Sequence, residues 1–195
     1  GIERARAAGT PWIALIDTDE FLLPMKDKTV NECLKKHFGD SSAVYANWLN
    51  FGTSNVYLNE GQPLLCSLTA CSPYHHPMNH SGKSIVRPEK VITSDINYVH
   101  HYPLVPGAIY SDGSAGVLPI VNGRVVVAQN VRSNYLRINH YKLRDENYYQ
   151  NVRKHRDQTL QLKDDYEILN QETDLKMIEF IKDHSEDNVF WKLCL

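Results

Sequence analysis

Asp17, Asp19 and Glu20 stand together where an uninterrupted apolar run, Trp12-Ile13-Ala14-Leu15-Ile16, gives out. Three carboxylates cannot crowd one place as bare charges without a large repulsive and desolvation cost, so water, a basic partner or a metal must compensate. Hard divalent cations choose carboxylate oxygens, and Mg²⁺ or Mn²⁺ commonly joins one or two carboxylates to a substrate phosphate. The same acids also fit a solvated turn, with Phe21, Leu22 and Leu23 packing back on the run. Lys83 and Arg87 are candidates to face phosphate, since guanidinium donors suit phosphate oxygens. Their even spacing puts both on one face of a regular strand, where they could equally be surface charges. Trp48 is a candidate stacking platform for a ligand that also suits a core. Asp95 and Asp112 are alternative candidates for a carboxylate base, or turn formers. Cys66, Cys71, His75, His76 and His80 are metal-ligating types, but their spacing matches no familiar structural zinc site.

The elements that would position these residues follow from periodicity. A short apolar run without alternation suits a strand buried on both faces, central in a parallel α/β sheet, where ligands bind beyond the carboxyl ends. On that reading Trp12–Ile16 is a central strand with the acids in a cleft at its end; an exposed edge strand there would remove this basis for a metal. Ile2 to Ala8 reads as a helix end capped by Gly9, and Thr29 to Phe38 as a helix bounded by Asp27 and Gly39. Strands are predicted at Ala43 to Phe51, Ser84 to Arg87 and Tyr135 to Tyr141, with a shorter apolar run at Arg124 to Ala128. Tyr98 to Tyr102 carries His100 and His101. Helical character returns at Asp145, with Leu160, Leu162, Tyr166, Ile168 and Leu169 as one apolar set and Leu175, Ile178, Phe180 and Ile181 as the next.

At 195 residues the chain suits a single domain with a real core. Its net charge of −2 gives no electrostatic case for nucleic acid or an anionic membrane. Its apolar runs are too short to span a bilayer, so no membrane association is visible in them. Four cysteines are too sparse for a disulfide framework and suggest a reducing compartment, hence a cytoplasmic location or the cytoplasmic face of a membrane. Asn79-His80-Ser81 fits a glycosylation sequon.

Five pieces in one order carry a resemblance. WIALIDTDEFLLP resembles the metal-binding stretch of glycosyltransferases of the family 2 and family 92 type. Asn47 to Ser54 resembles their "W-x-x-F-G-S" segment, and Gly82 to Pro88 their "K-x-I-x-R-P" strand. His100-His101 falls where the family has a histidine. Ile138-Asn139-His140-Tyr141 with Arg144 resembles the "N-H-Y-x-x-K/R-S" segment, Asp145 standing at the usual serine. The resemblance implies an α/β fold of the GT-A type, a mixed sheet flanked by helices. About residues 1–156 would form the catalytic core and 157–195 a helical tail, without the N-terminal nucleotide-binding strands. It implies metal-dependent transfer of a sugar from a nucleotide-diphosphate sugar to a glycan or other hydroxyl acceptor, with inversion. Asp19 and Asp17 would hold Mn²⁺ (or Mg²⁺), Asp17 also contacting the donor, and His140 would return as a further ligand. An imidazole ligand favours Mn²⁺.

Two other classes share some of these features. A carbohydrate-binding module or inactive transferase fragment would keep the metal and acceptor residues without turnover. With no strand–helix unit preceding Trp12, the chain by itself is expected not to turn over. A haloacid-dehalogenase-like phosphatase also places Asp-x-Asp after an apolar strand, but it needs Thr or Val where this chain has Phe21.

Overall fold

The computed structural model describes residues 1–96, 100–122, 124–127, 129–156 and 165–184. The chain divides into two compact units, one of Gly1–Trp48 with Pro77–Ile138, the other of Leu49–His76 with Asn139–Leu195. The class is mixed α/β, as the sequence predicts.

The first unit is built on a seven-stranded mixed sheet. Its main path runs β1 (Ile13–Ala14), β5 (Gly82–Val86), β3 (Ala43–Asn50), β10 (Leu136–His140), β2 (Glu20–Pro24). β6 (Tyr110–Asp112) lies parallel to the start of β3, and β7 (Val117–Leu118) returns antiparallel on β6. Along β3 the side chains alternate between two cores. Ala43 and Tyr45 join Ile2 of helix α1 (Ile2–Ala7), Val86, Tyr102 and Tyr110. Val44 and Ala46 join Cys33 and Leu34 of helix α2 (Val30–His37), with Phe38, Ile85, Leu136 and Ile138. Both faces of β3 are therefore covered, which is why its sequence reads as nearly continuous apolar and aromatic residues. Fully burying one such large side chain stabilises by roughly 1.5–3 kcal/mol.

Trp12–Ile16 departs from expectation. It is not a central parallel strand: only Ile13 and Ala14 are extended, at the sheet's edge, antiparallel to Val86 and Ile85. Leu15 and Ile16 are 40% and 39% exposed. The two-faced character does hold, since Ile13 packs on the α1 side and Trp12 and Ala14 on the α2 side. Missing alternation reports that both faces are covered, not that both edges are paired. The argument for a metal at a central strand end thus loses its premise, and the acidic turn must be judged on its own contacts. After that turn the chain enters β2, so Phe21–Leu23 form a strand rather than a turn packed back on the run.

Several boundaries follow local chemistry. Gly9 closes α1 at φ 66°, a left-handed conformation that suits glycine. α2 is capped by Thr29, whose hydroxyl accepts the Glu32 N–H at 3.1 Å. Asp27, expected at that boundary, instead takes Lys36 and His37 at 3.0 and 2.9 Å. Of the Arg124 to Ala128 run only β9 (Arg124–Val125) is extended, in a hairpin with β8 (Ile120–Val121).

In the second unit β4 (Ala70–Cys71) pairs with β11 (Glu172–Thr173). Phe51 stacks on Tyr141, ring centroids 4.6 Å apart. Glu146 is buried and accepts from Thr53 at 2.5 Å and from Tyr166 at 2.6 Å. Asp145 does the capping work of the serine it replaces: its carboxylate accepts from the N–H groups of Asn147 and Tyr148, and from Leu58 at 3.1 Å. Asp145→Ala should cost about 1 kcal/mol in denaturant unfolding, and Asp145→Ser should recover most of it. Helical turns continue from Glu146 to Arg156, resume at 165–168 and return at Lys176–Asp183. The expected positions Leu160 and Leu162, like Tyr98, lie outside the described residues.

Two sequence signals change meaning. Asn79 of the sequon is fully buried in a 3₁₀ turn, its amide shielded from modification. Cys66 is disulfide-bonded, although four cysteines are too sparse for a disulfide framework, and Cys33 and Cys71 are buried.

Candidate functional site

The acidic turn is fixed from behind. Glu20 opens β2 with its side chain fully buried, and its Oε2 accepts the Asp17 N–H at 2.8 Å. The Glu20 N–H in turn donates to the Asp17 carbonyl at 3.1 Å, so the turn closes on itself. Lys83, on β5 opposite Ala46, extends its ammonium to the Asp17 carboxylate at 3.0 Å and lies 3.9 Å from Glu20. The Lys83 side chain is 4% exposed whereas that of Asp17 is 67% exposed. A buried carboxylate, a buried ammonium and an open carboxylate therefore follow one another outward. Burial pushes the Glu20 carboxyl above its ordinary range, with the Asp17 N–H and Lys83 pulling the other way. Its other oxygen, Oε1, is buried without a hydrogen-bond partner.

The remaining residues singled out in the sequence are spread over both units. Arg87 lies beyond the end of β5, donating to the carbonyls of Ser41 at 2.8 Å and Gly39 at 2.9 Å with its guanidinium over the Trp12 ring. The backbone is still extended at Arg87, whose N–H continues the ladder to the Ser42 carbonyl at 2.9 Å, but its guanidinium is spent on those carbonyls while Lys83 faces Asp17. Trp48 packs on the α2-side core and meets His100 edge-on, ring centroids 5.4 Å apart. His100 is held by the Gly82 carbonyl at 2.7 Å, which only accepts, so Nδ1 carries the proton. A cavity of about 240 Å³ is lined by Tyr45, His80, Ser81, His100, His101 and Gln129. Burial, then the charges of His100 and Arg124, lower the His101 pKa and keep that ring neutral.

Of the two base candidates, Asp95 is exposed on a 3₁₀ turn with Ser94 donating to it at 2.8 Å. Asp112 is buried, and its Oδ1 takes the N–H groups of Ser114 and Gly116 at 2.8 and 2.9 Å, which is a turn-forming role.

In the second unit His140 ends β10 and its Nδ1 bonds the Asn50 side-chain oxygen at 2.8 Å. With that oxygen accepting, Nδ1 carries a proton. Among the described residues no three His, Cys, Asp or Glu side chains converge as a metal-binding group. That includes the described members of the Cys66-to-His80 set.

Glu20, read in the sequence only as one of three crowded carboxylates, is the buried one of them. The signal is the buried Lys83 it faces, whose burial no periodicity announces. A comparison with curated proteins returns no match. A family model does match, that of glycosyltransferase family 92, over residues 4–178. Spanning most of the chain and every motif above, that match shows that the chain belongs to glycosyltransferase family 92.

Proposed function

We propose that this glycosyltransferase moves a sugar from a nucleotide-diphosphate donor to a glycan or other hydroxyl acceptor, with inversion and with Mn²⁺ or Mg²⁺ at the Asp17-Thr18-Asp19 turn. The observation that carries this reading is the open Asp17 carboxylate with a buried ammonium 3.0 Å behind it. That pairing sets carboxylate oxygens for a hard cation beside a positive charge for phosphate. Asp17 and Asp19 would supply the oxygen ligands. The cation, when bound, neutralises charge on the leaving diphosphate and orients it.

The chain's own residues do the rest. Glu20 fixes the turn by taking the Asp17 N–H, and Lys83 sits where it reaches a diphosphate held at Asp17. Asp95 suits the base better than Asp112, since its carboxylate is exposed and not spent on a turn. The mixed α/β sheet with covered faces agrees with a GT-A arrangement. The test is sugar-nucleotide turnover by the protein after chelation. Activity should vanish and return with Mn²⁺, with an inverted anomeric product by NMR. Undiminished turnover in chelator would overturn the metal.

A further inference from the structure

The geometry points to Lys83 as a tethered counter-ion that occupies Asp17 until donor and divalent cation arrive together, then passes to the diphosphate. This inference rests on the metal reading above and concerns how that site is regulated. Asp17 and Glu20 lie beside the Lys83 ammonium, and with Asp19 between them in sequence the turn has three carboxylates against one ammonium, a formal charge of −2, the complement of one divalent cation. The ammonium is not a loose surface group. Its side chain is 4% exposed, anchored on β5, and pinned between the open Asp17 at 3.0 Å and the buried Glu20 at 3.9 Å.

A cation ligated by Asp17 sits about 2.1–2.2 Å from the carboxylate oxygen. That places a double positive charge within a few ångströms of Nζ, and like charges at that range in a half-buried site oppose each other strongly. Metal alone therefore binds weakly. A diphosphate relieves the conflict because its oxygens accept from Lys83 while the cation takes Asp17. Glu20 has the matching feature on the other side: Oε1 is fully buried, has no hydrogen-bond partner, and belongs to the carboxylate that lies 3.9 Å from the ammonium. It gives Lys83 a second acceptor when Asp17 is taken. Cation occupancy is thereby tied to the donor, and the site does not fill with free metal.

The experiment is a Mn²⁺ titration of the purified protein, with free Mn²⁺ followed by electron paramagnetic resonance and no phosphate present. Lys83→Met should tighten Mn²⁺ by roughly tenfold or more, the scale of one charge interaction near a protein surface. Because that variant leaves Glu20 buried without its counter-charge and is at risk of misfolding, Glu20→Gln/Lys83→Met is made beside it. The double variant keeps the wild-type formal charge of the turn, so tightening there reports the position of the ammonium and not net charge. Inorganic pyrophosphate, with its own chelation subtracted, should tighten Mn²⁺ in the wild type and lose that effect in the double variant. Wild-type and double-variant proteins binding Mn²⁺ equally, with equal pyrophosphate coupling, would overturn the role of Lys83 and leave the metal site standing. Mn²⁺ binding by none of them, with or without pyrophosphate, would overturn both.

Discussion

Asp19→Ala is expected to reduce metal-dependent sugar transfer by about two orders of magnitude or more, the usual effect of losing one electrostatic contributor to a transition state. Asp19 lies in the tight turn between Asp17 and Glu20, whose backbone is closed by the Glu20 carboxylate and the Glu20 N–H. The fold should therefore survive, and circular dichroism should match the wild type. Without metal the variant should melt no lower, because one of three crowded carboxylates is gone. Any Mn²⁺-induced rise in melting temperature should disappear with the activity. An active Asp19→Ala protein would remove this residue from the site.

Gly82→Ala should have the largest effect on stability. A β-carbon there would meet the Ala46 carbonyl oxygen at 2.0 Å and the Asn47 Cα at 2.9 Å, both backbone atoms of the neighbouring β3. No rotamer change can relieve that contact, so β5 must move off β3. That displaces the Lys83–Ala46 pairing and the Gly82 carbonyl that orients His100. Overpacking of this kind costs roughly 1–3 kcal/mol and sometimes more, against a typical total of about 5–15 kcal/mol. Urea unfolding should show a loss near or above the top of that range. A loss under about 1 kcal/mol would mean that the strands are less tightly apposed than these distances require.

Elements held by nearby sequence were legible. α1 with its Gly9 terminus, α2 and the long β3 all follow from local periodicity and end chemistry. β10 was legible as a strand because Leu136 and Ile138 alternate with polar partners. Pairing was not. The Trp12 run is at an edge because it meets Val86 and Ile85 from far along the chain, and nothing within the run encodes which edges stay open. The site divides in the same way. The acidic turn announces itself by charge density, whereas the Lys83 ammonium reaches Asp17 only through the fold. Arg87 looked equivalent to Lys83 by spacing, but the fold gives its guanidinium to the Ser41 and Gly39 carbonyls while Lys83 meets Asp17. Asp112 read as a base or a turn former, and its Oδ1 accepts the Ser114 and Gly116 N–H groups.

The central claim is that the Asp17–Asp19 turn holds a nucleotide-diphosphate donor through a divalent cation. Calorimetric titration of the protein with nucleoside diphosphates, with and without Mn²⁺, tests it most directly. The account predicts binding of at least one diphosphate that requires Mn²⁺ and is lost in Asp19→Ala. Glycan binding with no nucleotide binding, indifferent to Mn²⁺ and to Asp19, would contradict it.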